Sequence, residues 1–350
     1  MDRSFVYYYF QSVDYWRQVS EGQVGIGQPN VNGTTLSNIL VPLPPLPEQR
    51  RIVAKLEKLL AKVEASQKRL ERIPTILKRF RQSVLAAACS GRLTEDWRSG
   101  REVVWGETTI GEVEEFIGSG ITPKGGRSVY VSSGIPFIRS QNVYPSGLVL
   151  DDVAYITPEI HRSMSRTHIR PFDVLLNITG ASIGRSTVVP GRFKVGNVNQ
   201  HVCIIRVKPV LSPRFLSLFL NSPLGQGLIF ETQNGVTREG LNYGQIRSFV
   251  VPLPSIEEQN EIVRRADALL EIADKIEGRY EKAKTQVEKL AQSILAKAFC
   301  GELVPQNPND EPASALLERV KQERQETDGP VLQGRRKSGA RKRTPKGTDI

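Results

Sequence analysis

The chain has 350 residues, 39% hydrophobic and 24% charged, which is enough to bury a core and excludes both a disordered and a membrane-spanning class. The formal net charge of +11 and a pI near 9.6 point to a polyanionic partner, nucleic acid first. Arg335, Arg336, Lys337, Arg341, Lys342, Arg343 and Lys346 supply +7 of that charge, offset nearby only by Asp349, so a basic, disordered C-terminal tail carries about half of the excess.

Three cysteines, Cys89, Cys203 and Cys300, stand far apart, and the chain has three histidines. Neither set has a metal-binding spacing, so no cofactor or metal is expected, and the thiols read as reduced ones of a cytosolic, cytoplasmic protein. No apolar run approaches the length of a membrane span, and the start resembles no signal peptide.

The chain repeats itself with an offset of 210 residues. Residues 41–93 align without a gap on 251–303, with 20 of the 53 positions identical. Phe5 to Phe10 likewise precede Phe215 to Leu220 by 210, and Ser12 matches Ser222. The repeat therefore begins near residue 2, and residues 1–40 correspond to the end of a domain whose earlier part lies outside this sequence.

Residues 41–93 predict a long helix. Pro47 suits its first turn, and Gly91 marks its stop. Its seam, Ile52, Leu56, Leu59, Val63, Leu70, Ile73, Leu77, Phe80 and then Val84, keeps the alternating four-three spacing of a coiled coil, with Ser66 as the one polar interruption. As one helix, residues 47–88 would span roughly 60 Å at ~1.5 Å per residue. Pro74 lies inside it and predicts a kink.

Residues 94–250 predict a mixed α/β domain. Strand-like runs occur at Ile135–Ile138, Asp173–Ile178, Ser186–Val189 and Val202–Val207, with a helix from Ser212 to Leu220. The second long helix, residues 251–303, has Ser255 and Glu258 spaced as a capping box, and Gly301 as its stop. Its seam includes Ile262, Leu269, Ile276, Tyr280, Val287 and Leu290, and Lys284 replaces the proline, which predicts a straighter helix. The two seams predict an antiparallel intramolecular coiled coil, and residues 304–350 form an extension. The fold class is α+β.

Catalytic patterns are not found. Gly118 to Gly125 lacks the Gly-Lys-Ser/Thr ending of a phosphate loop, and Gly180 with Gly184 reads as a tight turn between strands. Paired carboxylates such as Asp151-Asp152 read as solvated surface. These absences predict a binding protein rather than an enzyme.

The segment Val41-Pro42-Leu43-Pro44-Pro45-Leu46-Pro47-Glu48-Gln49-Arg50-Arg51-Ile52-Val53 and its repeat at 251–263 resemble the specificity subunit of a type I restriction–modification system. Gly91 to Arg98, Gly120 to Lys124, Gly134 to Arg139, Asp173 to Leu175, Gly184-Arg185, Gly301 to Gln306 and Glu311 to Ser314 carry the same likeness, over roughly residues 2–326. The resemblance implies a non-catalytic subunit. Each of its target-recognition domains reads one half of a split double-stranded DNA site, and two long helices set the spacer. Modification (methyltransferase) subunits dock on it, and restriction (helicase-nuclease) subunits join to form the nuclease.

On that plan the first recognition domain lacks its front. A late start codon, a split gene, or a short form that self-dimerises would each account for this. A truncated remnant, or a coiled-coil scaffold or dimerisation protein without specific DNA reading, is the competing reading. A self-contained methyltransferase or nuclease ranks last, because no Asn-Pro-Pro-aromatic sequence is present.

Base recognition needs hydrogen-bonding side chains on loops. The candidates are Lys124 and Arg127 on the glycine-rich loop; Arg139, Ser140, Gln141 and Asn142 after an apolar strand; Thr179, Ser182 and Arg185 on the tight turn; and Gln200 and His201 before the next strand.

Overall fold

The structure is a computed structural model and describes residues 1–22, 33–98, 104–233 and 240–328. The basic tail expected at residues 334–346 lies outside the described residues. Two compact units are present: Met1–Glu71 with Tyr280–Ile350, and Arg72–Arg279.

The repeat is visible in the backbone. Helices Arg3–Tyr9, Val13–Glu21, Gly33–Ser37 and Leu46–Leu70 have counterparts beginning 210 residues later, at Pro213–Asn221, Pro223–Gln233, Tyr243–Arg247 and Ile256–Phe299. The same contacts anchor both copies. Gln49 Oε1 accepts from the Asp2 amide at 2.8 Å and Gln259 Oε1 from the Ser212 amide at 2.7 Å, while each glutamine Nε2 donates to the carbonyl five residues before it. Ser12 and Ser222 hydroxyls each donate to the carbonyl three residues earlier at 2.7 Å. Both glutamines are fully buried, so these bonds satisfy groups that water cannot reach.

Within each unit the long helices run antiparallel. In the terminal unit Ile52, Leu56 and Val63 pack with Ile294, Leu295 and Ala298, and Val287 joins this cluster from the same helix. In the central unit Val84 and Phe80 pack with Ala266 and Leu269. Ile276 and Leu290, expected in the seam, are 41% and 49% exposed. The first helix is two helices rather than one, Leu46–Leu70 and Ile73–Cys89. The break follows from Pro74: its ring has no N–H and crowds the carbonyl four residues back, that of Leu70, where the first helix ends. The second copy, with Lys284, stays continuous for 44 residues, about 66 Å at ~1.5 Å per residue. Gly91 and Gly301 both sit at φ 78°, the left-handed geometry of a helix stop.

The expected capping box at Ser255 forms only in half. The Ser255 hydroxyl accepts from the Glu258 amide, but the Glu258 carboxylate turns away from the helix start. It accepts from Thr94 Oγ1 at 2.8 Å, Arg98 Nη1 at 2.7 Å and Trp105 Nε1 at 3.1 Å. A carboxylate this deeply buried needs such donors, and they tie the second long helix to the segment that leaves the first.

Among the described residues the central unit holds eleven strands: β1 (Gly106–Thr109), β2 (Glu114–Ser119), β3 (Ile135–Ile138), β4 (Val143–Tyr144), β5 (Gly147–Leu148), β6 (Ala154–Ile156), β7 (Val174–Asn177), β8 (Ser186–Val188), β9 (Asn197–Val198), β10 (Val202–Val207) and β11 (Val250–Leu253). The main sheet is antiparallel in the order β2-β10-β7-β8; β6-β3-β9 form a second sheet, and β1-β11 and β4-β5 form pairs. Strand alternation sends Val174, Leu176, Cys203 and Ile205 to one face, against Phe215, Leu216 and Phe219 of the Pro213–Asn221 helix. It sends Leu175, Val202 and Ile204 to the other, against Ile138, Val143 and Val198. With both faces covered, β7 and β10 read as continuous apolar runs, which is why both were legible in the sequence. Asp173, at the start of β7, is buried and pairs with Arg206 Nε and Nη2, both at 2.8 Å. Burial pushes its carboxyl above the usual range against the pull of that arginine. It is a structural ion pair.

Candidate nucleic-acid interface

The ends of β3, β7 and the turn before β10 open on one cleft of about 570 Å³, lined by Ser140, Gln141, Tyr144, Thr179 to Ser182, Arg185 and His201. Six of the sequence candidates meet here: Ser140, Gln141, Thr179, Ser182, Arg185 and His201.

The first wall is the turn after β3. Gln141 Nε2 donates to Asp152 Oδ2 at 2.6 Å, which holds the amide and leaves its carbonyl oxygen as a free acceptor among the described residues. Arg139 Nη2 donates to the Asp152 carbonyl at 2.9 Å, with its guanidinium 5.8 Å from the Tyr130 ring centroid. It is braced beside the cleft rather than lining it. Asn142 leaves the candidate set. It is buried, and its amide is spent within the turn, accepting from the Arg139 amide at 3.0 Å and donating to the Val149 carbonyl at 2.9 Å.

The second wall is the tight turn between β7 and β8. Gly180 and Gly184 take φ 75° and 84°, which lets the chain reverse in so few residues. Asn177 is fully buried and its Nδ2 donates to the Ser140 carbonyl at 2.9 Å and to Ser182 Oγ at 3.0 Å, so it fixes the two walls together. The Arg185 guanidinium lies 5.1 Å from the centroid of the Tyr144 ring.

The floor is a polar chain. Thr122 Oγ1 donates to Gln200 Oε1, and Gln200 Nε2 donates to His201 Nε2 at 2.9 Å. An amide nitrogen only donates, so the His201 proton sits on Nδ1, facing Thr179 Oγ1 at 2.5 Å. Gln200 thus reaches the cleft through His201.

Lys124 is exposed on the glycine-rich loop and does not line the cleft. The Arg127 side chain lies outside the described ones. Gly120 in that loop serves backbone packing: a Cβ there would fall 1.6 Å from the Val198 carbonyl oxygen. Sequence reasoning missed Tyr144. Its signal was an exposed aromatic two residues after Asn142 in a polar turn, whose hairpin partner, β5, is too short to show a pattern.

The sequence profile described as the type I restriction modification DNA specificity domain matches residues 2–75 and 102–285. This chain belongs to the type I restriction–modification DNA-specificity family. Its part in such a system is recognition of DNA sequence, and it is not the catalyst. The EcoBI specificity subunit of Escherichia coli is 36% identical over 350 residues, covering 92% of this chain and 72% of that one. The EcoKI specificity subunit of Escherichia coli strain K12 is 32% identical over 342 residues, covering 93% and 72%. Among solved structures, the HsdS subunit of Thermoanaerobacter tengcongensis shares the fold with a TM-score of 0.54 at 24% identity, over 86% of this chain and 71% of that one. A chain from a study of assembly and conformational transition in a type I system reaches 0.65 at 24% identity, over 85% and 71%. In this specificity subunit no described helix is long and apolar enough to cross a membrane.

Proposed function

We propose that this specificity subunit reads one half of a bipartite double-stranded DNA site through the Ser140–Tyr144, Thr179–Arg185 and Gln200–His201 cleft. Residues 94–250 are then a complete target-recognition domain. Residues 41–93 and 251–303 are the spacer helices on which modification subunits dock, with restriction subunits joining them. Residues 1–40 are the end of a first recognition domain, and 304–350 are an extension.

One observation carries this reading: polar side chains from three separated loops converge on one cleft, held by a fully buried asparagine. A merely solvated loop surface needs no such brace. Base edges are discriminated by donors and acceptors in fixed positions, and the cleft supplies both, the Gln141 carbonyl oxygen as acceptor and hydroxyls as donors. The test is Gln141→Ala in the complex with modification subunits. Relaxed preference at one base pair, costing about 1–3 kcal/mol of discrimination, is expected. Equal weakening on specific and random DNA would make Gln141 a backbone contact, and unaltered binding would remove it from the interface.

A further inference from the structure

We infer that the Gly180–Arg185 side of the cleft seats a DNA phosphate and reads no base, so that reading falls to Gln141 and to Thr179, whose hydroxyl His201 holds in place. The inference rests on the DNA-reading proposal above and divides that cleft into two jobs.

The arginines show the first asymmetry. Around this domain Arg139 is spent on the Asp152 carbonyl, Arg206 on Asp173, Arg214 on Asp267 and Arg247 on Glu114. The Arg185 guanidinium, like those of Arg166, Arg170 and Arg192, has no carboxylate or carbonyl partner among the described residues, and of these four it is Arg185 that lines the cleft. It is held from one side by the Tyr144 ring, which orients the guanidinium without using its N–H donors.

The turn beside it supplies more donors. The Gly180 and Ser182 carbonyls are taken up by the amides of Ile183 and Arg185 at 3.0 and 3.2 Å. The amides of Ala181 and Ser182 have no acceptor among the described residues. Ser182 Oγ already accepts from Asn177, so its own hydrogen is what remains to give. This side of the cleft therefore presents a full positive charge, two backbone N–H groups and a hydroxyl hydrogen, so donors outnumber its one unbonded carbonyl, that of Ala181. Such a set suits an anion, and backbone amides in a tight turn recognise anions without regard to base sequence.

The opposite side is mixed. Gln141 offers an acceptor, and the Gln200–His201–Thr179 chain ends in a hydroxyl. Discriminating base edges needs that mixture. Asn177 bonds both sides, so a phosphate seated at Arg185 would set the register of bases at Gln141.

The experiment compares Arg185→Ala, Arg185→Lys and Gln141→Ala in the full chain with its modification subunits. Binding to a duplex carrying the recognised sequence and to a random duplex is measured over a salt series, and the methylated sequence is mapped. For Arg185→Ala the affinity for both duplexes should fall by the same factor. The slope of log K against log salt should drop by about 0.9, one phosphate's worth, and the remaining methylation should keep its sequence. Arg185→Lys, which keeps the charge, should retain the slope and so separates loss of a contact from loss of folding. Gln141→Ala should keep the slope and change the sequence. Arg185→Ala that changes the methylated sequence while random-duplex binding is untouched would make Arg185 a base reader and overturn the inference. If neither Arg185→Ala nor Gln141→Ala alters binding or sequence, the cleft itself is not the interface, and the reading beneath the inference falls.

Discussion

Replacing Glu258 by alanine should cost the central unit more than any loop substitution. Glu258 is 1% exposed and its carboxylate accepts from Thr94, Arg98 and Trp105, while the Arg98 side chain is itself only 17% exposed. Truncation leaves a largely buried guanidinium and an indole N–H without their acceptor, and breaking a buried pair from one side costs about 3–5 kcal/mol. For a unit of roughly 200 residues each kcal/mol moves the midpoint by about 2–4 °C, so Tm should fall by roughly 6–20 °C. Glu258→Gln keeps one acceptor oxygen for Thr94 and Arg98 but turns an NH2 toward the Trp105 Nε1–H and loses the charge, so it should cost at least about 1–1.5 kcal/mol, the difference between a charged and a neutral hydrogen bond, yet less than Glu258→Ala. Calorimetry of the full chain reads both. A Glu258→Ala transition within 2 °C of the unsubstituted chain would refute the idea that this carboxylate locks the second helix to the end of the first.

Three further outcomes follow from the packing. Gly91→Ala should destabilise more than Gly301→Ala although both sit at φ 78°, because the new Cβ would lie 2.9 Å from Arg98 Nη1 in the first and has only Gln306 Nε2 at 3.8 Å near it in the second. Denaturant titration should give about 1–2 kcal/mol for Gly301→Ala from the backbone alone, and equal losses would contradict the contact. Leu56→Ala, at a fully buried position of the terminal unit, should cost about 2–5 kcal/mol, and a loss below about 1 kcal/mol would mean that the site is not enclosed. Burial pushes the Cys89 and Cys203 thiols up to about 11 and about 12, so both stay protonated and shielded at pH 8. A thiol reagent at that pH should titrate the exposed Cys300 alone in the native chain and all three after denaturation; a second fast-reacting thiol without denaturant would count against the burial.

The helices were legible because their apolar spacing, their proline and their glycine stops are local signals. The break at residues 71–72 was legible as a kink, since Pro74 announces it, but whether the helix bends or ends depends on tertiary packing. β7 and β10 showed as apolar runs because both faces are buried. The two-residue strands β4, β5 and β9 were not, since two residues cannot display a period. In the candidate site, residue type and loop position brought Gln141, Thr179, Ser182, Arg185 and His201 forward. They could not show that Asn142 turns inward, because an asparagine that reads a base and one that closes its own turn look alike in sequence. Nor could they show that Asn177, inside an apolar strand, braces the loop at Ser182 to the loop at Ser140, 37 residues before the asparagine in sequence.

We propose that this subunit gives a modification complex its DNA sequence through the Gln141–His201 cleft. Co-expression with type I modification subunits, followed by base-resolution mapping of methylation in the host DNA, tests it most directly. The expected result is one defined sequence, methylated at its occurrences throughout, that changes at a single base pair when Gln141→Ala is introduced. Methylation with no common sequence, or a sequence that both Gln141→Ala and Thr179→Val leave intact, would contradict it.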